Sequence, residues 1–364
     1  MDCTTGIDTC GMIKGFTFGK FLPFHLGHSA LIDFAAEQCD HLTVLVCWSD
    51  TEMVPGEDRA RWIGSILDNR IDVRLYHYSE ADLTNTSVSS DTVSKEWAAV
   101  FKELVPEADL LITSEAYGEL VARHMGIAHV PFDPARIRVP ISANRICADP
   151  IANWSFLPVA VQRHYQRKVV LLGTESTGKS TMAERLAAHY GCALVPETGR
   201  ELVSDSKKFE LETLSIVARE HARRIERAAE TNSPLLIIDT DMHITMSYAR
   251  FVFGVDMVLS DEILKTNAAD LYIYLSKDVP FRQDGTRFDE DQRNLLDQYH
   301  RRLLAEHGIR PVEINGRTWE SRLESCLLAI DRMMLDAFRT RTDVEKNRPQ
   351  ADPECGTPVS DPAW

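Results

Sequence analysis

Eight residues in mid-chain, Gly173-Thr174-Glu175-Ser176-Thr177-Gly178-Lys179-Ser180, narrow the possible folds more than any other part of the sequence. An apolar, β-branched run, Lys168-Val169-Val170-Leu171-Leu172, precedes them, and a helix-forming run over 181–190 follows. Strand, Gly-x4-Gly-Lys-Ser, helix is the setting of a phosphate-binding P-loop. Gly173 and Gly178 let successive backbone N–H groups turn inward as a nest for phosphate oxygens, with Glu175, Ser176, Thr177 and Thr181 as further members of the cradle. The helix N-terminus adds its dipole to that anion site. Lys179 can reach the β- and γ-phosphates of ATP, and Ser180 can hold Mg²⁺.

A P-loop normally follows the first strand of its own domain, so the residues before it must form something else. With 364 residues and 44% apolar composition, the chain is large enough for two or three cores. Its net charge of −15 argues against a duplex nucleic-acid binder, which needs clustered Lys and Arg. No apolar run approaches the ~18 residues of a membrane span. The N-terminus lacks a basic, apolar leader, so no signal peptide is read there. Eight scattered cysteines include no Cys-x2-Cys pair and read as free thiols of a reducing cytoplasm. Nucleic-acid and membrane partners are therefore not expected. A homo-oligomer is compatible with the sequence.

Strands are expected over 13–18, 42–47, 71–77, 109–113 and 127–132, with helices over 29–38, 57–67, 93–104 and 115–125 between them. This alternation predicts a parallel, doubly wound α/β sheet, whose ligand sits at the carboxyl ends of the strands. The loop after the first strand holds Gly19, Lys20, Phe21, His25, Gly27 and His28. Gly27 permits close backbone approach, and a helix begins there. Two imidazoles at that point could donate hydrogen bonds to charge developing on a phosphate. After the P-loop, strands over 192–195, 234–241, 271–275 and 312–314 alternate with helices over 211–230, 292–306 and 319–338, predicting a second sheet of the same class. The strand over 234–241 ends in Asp239 and Asp241. One of these can position Mg²⁺ or its waters, and one can accept a substrate hydroxyl proton, in either order. Asp241 could also cap the next helix. Expected boundaries are a leader over 1–12, a first domain over 13–150, a linker over 151–166, a second domain over 167–342 and a disordered tail over 343–364.

Gly19-x-Phe21-x-Pro23-x-His25-x-Gly27-His28 resembles the signature of the nucleotidyltransferase superfamily named for its His-x-Gly-His motif. Its second motif, Ile-Ser-x-Thr-x-Ile-Arg, is similar to Ile141-Ser142-Ala143-Asn144-Arg145-Ile146-Cys147. Further agreement lies in Val46-Cys47-Trp48-Ser49-Asp50, Glu57-Asp58-Arg59-Ala60-Arg61-Trp62 and Thr113-Ser114-Glu115-Ala116-Tyr117-Gly118. A nucleotidyltransferase joined to a P-loop kinase resembles the NadR-type family over about residues 13–340. That family joins a nicotinamide mononucleotide adenylyltransferase to a ribosylnicotinamide kinase. The helix-turn-helix domain that some members carry is not expected here.

The resemblance implies a Rossmann-like adenylyltransferase followed by a kinase, ATP as co-substrate, and ribosylnicotinamide and nicotinamide mononucleotide as substrates. His25, His28 and Lys20 would stabilise the α-phosphate, with Gly19, Phe21, Gly27 and Ser142 around the nucleotide. Trp97 could stack on the nicotinamide ring or be a core residue. Pro196-Glu197-Thr198-Gly199-Arg200-Glu201 is similar to a family segment beside the nucleoside, which implies substrate contacts for Glu197 and Arg200. Asp239 is implied as the kinase base beside Lys179, and Asp241 with Ser180 as Mg²⁺ ligands. Pro280-Phe281-Arg282-Gln283-Asp284-Gly285-Thr286-Arg287 is similar to the family lid, making Arg282, Arg287 and also Arg293 candidates to close over the phosphoryl group. Cys147 stands where the family has an arginine, and Asn144 where it has threonine. Losing that arginine removes a charge-assisted phosphate contact. A nucleotide-sensing regulator, or a kinase for another nucleoside beside a degenerate first domain, are the alternatives.

Overall fold

The computed structural model describes residues 11–66, 71–83, 90–203, 209–282 and 288–339. In the first half, strands β1 (Lys14–Gly19), β2 (His41–Ser49), β3 (Ile71–Tyr78), β4 (Leu110–Thr113) and β5 (Ala128–Pro131) alternate with helices α1 (Leu26–Glu37), α2 (Gly56–Gly64), α3 (Asp91–Leu104) and α4 (Tyr117–Met125). Helices α5 (Ala143–Ala148) and α6 (Val159–Tyr165) then lead to the second half. There, β6 (Arg167–Leu172), α7 (Lys179–Tyr190), β7 (Ala193–Val195), α8 (Thr198–Leu202) and α9 (Leu211–Ala229) precede β8 (Leu235–Asp239), α10 (Met242–Tyr248) and α11 (Asp261–Asn267). The remaining elements are β9 (Leu271–Leu275), α12 (Glu290–Glu306), β10 (Val312–Ile314) and α13 (Trp319–Ala337).

The elements build two parallel five-stranded sheets, ordered β3-β2-β1-β4-β5 and β10-β9-β6-β8-β7. Their central strands are apolar because helices cover both faces. Every residue of β8, Leu-Leu-Ile-Ile-Asp, is buried. In each sheet the first strand of the unit, β1 or β6, lies in the middle. The chain turns to opposite sides around it, which opens a crevice at its carboxyl end. The histidine loop leaves β1 and the P-loop leaves β6. Asp239, at the end of β8, pairs in register with Leu171 of β6, beside the P-loop.

The stretch 151–166, expected as a linker, is folded. It forms a 3-10 turn (Trp154–Phe156) and then α6. Trp154 Nε1 donates to Asn232 O at 2.7 Å, and Tyr165 stacks on Phe338 with ring centroids 4.0 Å apart. One hydrophobic cluster runs through this join, containing Trp62 and Ile141 of the first half and Leu171 and Ile330 of the second. Buried apolar area of this kind couples the two halves. The short helices α5, α6, α8, α10 and α11 were not expected from periodicity. None exceeds two turns, too short to display a 3.6-residue pattern.

Candidate active sites

At the end of β1, α1 begins at Leu26, three residues earlier than periodicity implies, because His25 caps it. His25 Nδ1 accepts from His28 N at 3.3 Å, so in the neutral ring Nε2 carries the hydrogen. The two imidazoles stack with centroids 3.7 Å apart and planes 15° from parallel. Phe21 meets the His28 ring edge-on and Phe24 lies parallel to it. Gly27 leaves this packing room, since an added Cβ would sit 3.0 Å from the His25 ring and press on it. Burial, then the Arg136 charge, lower the His25 pKa to about 4. Burial, His25 and Arg136 hold His28 well below its ordinary value. Both rings are neutral at pH 7, so each can donate through one nitrogen only. Phe21 occupies the left-handed region, with φ 49°, and is nearly fully buried.

Lys20 is held by a group that the sequence did not single out. Its Nζ pairs with Glu52 Oε1 at 2.8 Å, with Glu80 further off at 3.8 Å. Burial alone would lower the Lys20 pKa, but the Glu52 hydrogen bond and charge raise it. Glu52 is buried and shared with Arg59, whose Nη2 lies 2.5 Å from Glu52 Oε2. Fully buried Arg59 also donates from Nη1 to Lys20 O at 2.9 Å and from Nε to Val54 O at 3.1 Å. A buried guanidinium thus fixes both the backbone of Lys20 and its counter-ion. Only the similarity of the segment 57–62 hinted at Arg59.

The second motif packs behind the histidines. Ser142 caps α5 by accepting from Arg145 N at 3.3 Å, and Arg145 Nη1 donates back to Pro140 O at 2.6 Å. Asn144 is exposed, and half-buried Cys147 packs against the shared core beside Tyr165. Arg136, also unforeseen, bridges Ile141 O at 2.9 Å and Glu115 Oε1 at 2.6 Å. Trp97 is 7% exposed, with its ring against Phe101 and edge-on to Tyr76 and Tyr78. That is the core position, not a ring open to a ligand.

The P-loop borders a cavity of about 570 Å³. Gly173 (φ 141°) and Gly178 (φ 86°) adopt conformations that L side chains resist, and Ser176 shares the left-handed region at φ 58°. A Cβ on Gly173 would lie 2.7 Å from Leu275 O, and one on Gly178 would lie 2.5 Å from the Trp319 ring. Lys179 Nζ donates to Thr174 O at 3.1 Å, and Thr177 Oγ1 donates to the same oxygen at 2.9 Å. Ser180 Oγ is buried beside Asp239, whose pKa its hydroxyl helps to lower, and makes no other hydrogen bond to a described residue. Thr181 is exposed at the cavity edge.

The two strand-end carboxylates separate into different duties. Asp239 is 2% exposed and faces the cavity. Burial, then Glu197, raise its pKa, and Lys179 and Ser180 offset part of the rise. Asp241 Oδ1 caps α10, accepting from His243 N at 3.0 Å and Ile244 N at 3.3 Å, while Oδ2 lies 2.5 Å from His243 Nδ1. Both its oxygens are hydrogen-bonded, in line with the expectation that Asp241 caps the next helix, and it also borders the cavity. Glu197 borders the cavity and accepts from exposed Arg200 at 3.0 Å.

Glu175 reaches away from the cradle. Its carboxylate accepts from Tyr248 Oη at 2.9 Å and Phe288 N at 3.2 Å. Arg282 lies exposed at the rim, its backbone N–H donating to Ser176 Oγ at 2.9 Å. Arg287 lies outside the described residues. Arg293 is not a lid residue as expected, because it is 2% exposed and its Nε donates to Glu175 O at 2.8 Å. It buttresses the P-loop from α12. Buried His221, joined to Thr198 Oγ1 and Thr240 O at 3.0 Å each, and buried His300 also border the cavity. Neither was foreseen, since an isolated histidine in a helix carries no signal in one sequence. No cluster of three or more His, Cys, Asp or Glu capable of holding a metal occurs among the described residues.

Comparison with known proteins divides the chain as the sheets do. Residues 20–129 match the family model of the citrate lyase ligase C-terminal domain, and residues 168–322 match that of an AAA domain. Over 346 residues the chain is 28% identical to the trifunctional NAD biosynthesis/regulator protein NadR of Escherichia coli K12, covering 88% of this chain and 83% of that one. The chain is similar to NadR along most of its length. The NadR of Salmonella typhimurium LT2 is 26% identical over 340 residues, at the same coverage. The solved structure of a NadR protein in complex with NR superposes with a TM-score of 0.58 at 22% identity, covering 89% of this chain and 96% of that one. A NadR complex with NAD and AMP-PNP gives a TM-score of 0.57 over the same shares. At that identity the likeness concerns the fold, and it spans both halves rather than one. The NadR architecture therefore holds both the histidine pair and the P-loop cavity.

Proposed function

We propose that the chain makes NAD from ribosylnicotinamide in two steps, phosphorylating the nucleoside at the P-loop site and adenylylating the product at the histidine site. The observation that carries this reading is the pairing in one NadR-like chain of a P-loop cavity, with buried Asp239 beside Lys179, and a neutral imidazole pair at the end of β1. The NadR structures with NR and with NAD and AMP-PNP support the choice of ligands.

In the first step the nucleoside's 5′-hydroxyl oxygen bonds to the γ-phosphorus of ATP as the bond to the ADP oxygen breaks. Asp239 accepts the hydroxyl proton, and its raised pKa makes it a better acceptor than an ordinary carboxylate. Lys179 leaves Thr174 O for the phosphate oxygens, and Arg282 approaches from the rim. Mg²⁺ fits Ser180, whose buried hydroxyl lies beside the Asp239 carboxylate and has no other partner among the described residues. Bound there, Mg²⁺ would neutralise phosphate charge, completing its shell with phosphate oxygens and waters. Glu197 and Arg200 take positions beside the nucleoside.

In the second step a 5′-phosphate oxygen of nicotinamide mononucleotide bonds to the α-phosphorus of another ATP, and the bond to pyrophosphate breaks. His25 Nε2–H, His28 and Lys20 donate to the charge on the α-phosphate. Gly19, Phe21, Gly27 and Ser142 shape the nucleotide pocket around them. We further infer a cytoplasmic protein, in keeping with free cysteines among the described residues and no described helix long and apolar enough to cross a membrane.

Supplying ribosylnicotinamide, ATP and Mg²⁺ and separating the products tests both steps. NAD supports the whole reading, mononucleotide alone supports the kinase only, and neither product rejects the substrate assignment. Cys147 favours a second reading, in which the first site binds nucleotide without useful turnover. Arg145, bound to Pro140 O, does not replace the missing charge. If the absent arginine is limiting, Cys147→Arg raises adenylyl transfer about ten- to a hundredfold under limiting ATP, by the worth of one charged hydrogen bond. An unchanged rate rejects that explanation.

A further inference from the structure

Among the residues bordering the kinase cavity, His300 carries a buried, unpartnered hydrogen-bonding atom that the two-step reading does not use. His300, on α12, is 1% exposed and borders the cavity. It lies seven residues, close to two helical turns, beyond Arg293, whose Nε holds Glu175 O of the P-loop. The His300 Nδ1 is hydrogen-bonded with Ser247 Oγ. That hydroxyl donates its single hydrogen to Ile244 O at 2.7 Å, so toward the ring its oxygen accepts and Nδ1 carries the hydrogen. Burial, then the Lys179 charge, lower the His300 pKa to about 3, which keeps the ring neutral. Nε2 is therefore a bare lone pair. It is buried, and no described residue hydrogen-bonds to it.

A buried acceptor left without a donor is costly, and native proteins seldom keep one idle. Of the donors nearby, Tyr248 Oη is engaged with Glu175 at 2.9 Å, and Lys179 Nζ, which donates one N–H to Thr174 O at 3.1 Å, turns to the phosphates in the kinase reading. Ionised phosphate oxygens carry no hydrogen, so the polyphosphate of ATP would be repelled by this lone pair rather than bound. Of the two substrates, the nucleoside is the one with donors to offer.

We propose that His300 Nε2 is a specificity-determining acceptor for an N–H or O–H group of the nucleoside bound in the kinase cavity. This rests on the kinase reading above. A carboxamide N–H and a ribose hydroxyl offer the same chemistry. A site built to receive such a hydrogen discriminates strongly against a ligand lacking it, because the buried acceptor is then unpaired.

The test compares wild type, His300→Phe and His300→Gln on ribosylnicotinamide, its carboxylate counterpart, and its 2′-deoxy and 3′-deoxy forms. His300→Phe is expected to lower kcat/KM on ribosylnicotinamide about ten- to a hundredfold, with the KM for ATP unchanged. The same variant loses far less on the one analogue that lacks the donor, which identifies the group received. His300→Gln, which returns an acceptor oxygen, recovers most of the preference. An equal loss on all four nucleosides, or a change confined to the KM for ATP, overturns the assignment. In wild type, the ¹⁵N signal of His300 Nε2 should move upfield when nucleoside is added and stay in place with ATP alone, a reading that needs no variant. The reverse result also overturns it. If wild type phosphorylates a purine or pyrimidine nucleoside instead, the pyridine substrate is rejected. The ratios on that nucleoside and its deoxy forms then decide His300.

Discussion

Where β1 ends, two stacked imidazoles stand neutral at pH 7, and the adjacent cation, Lys20, is already paired with buried Glu52. Where β6 ends, the Lys179 ammonium hydrogen-bonds a carbonyl, Thr174 O, and buried Ser180 lies beside Asp239. Both sites occupy the crevice of a parallel five-stranded sheet. The first meets phosphate with oriented dipoles and a pre-paired cation, the second with an uncommitted charge and a loop of backbone N–H groups. The difference suits the proposed chemistry. Adenylyl transfer moves charge within a bound triphosphate, whereas γ-phosphoryl transfer must gather a compact, highly charged group. It also makes the sites separately breakable.

The largest separation is expected from Lys179→Met, which should lower phosphorylation on the order of a thousandfold while adenylyl transfer from supplied mononucleotide stays within about twofold. Parallel loss of both activities would contradict separate sites. His25→Ala should act in mirror image, lowering adenylyl transfer about a hundred- to a thousandfold and sparing the kinase, as measured by pyrophosphate release. Arg59→Leu strands the buried Glu52 charge and should destabilise the protein by about 3–5 kcal/mol in denaturant titrations. Removing both partners, in Glu52→Leu/Arg59→Leu, should be far milder. Equal losses would mean that the buried pair is not what holds Lys20.

The smallest effect is a shift in pH dependence. Asp239 has a raised pKa and must be ionised to act as base, so kinase activity is lost as pH falls through a value above that of an ordinary carboxylate. Glu197 adds negative charge that favours the protonated form. Glu197→Gln should therefore move the acid limb of kcat to lower pH. A limb that stays in place would mean that Asp239 is not the group titrating.

Much of this contrast was legible in the sequence. The Gly173–Ser180 spacing and the strand–helix alternation required two parallel sheets, and His25 and His28 could be placed at a crevice because they follow the first strand. What could not be read was how charged groups pair through space. Glu52 and Arg59 converge on Lys20 from a loop and a helix that have no fixed sequence spacing to it. Asp241 looked equivalent to Asp239 until its oxygens were seen capping α10 and meeting His243. Arg293 resembled a mobile lid arginine, yet it lies on the buried face of α12. Local pattern encodes elements and their order, but it does not encode which of two neighbouring carboxylates is tied into a helix cap.

The central claim is that one chain carries two sites in sequence, the first product being the second substrate. Incubating the intact protein with ribosylnicotinamide, ATP and Mg²⁺, and following mononucleotide and NAD over time, tests it most directly. The account predicts that mononucleotide appears first and is consumed as NAD and pyrophosphate accumulate, with Lys179→Met stopping both and His25→Ala arresting the reaction at mononucleotide. NAD formed by Lys179→Met from the nucleoside, or no phosphorylation by the wild-type protein, would contradict it.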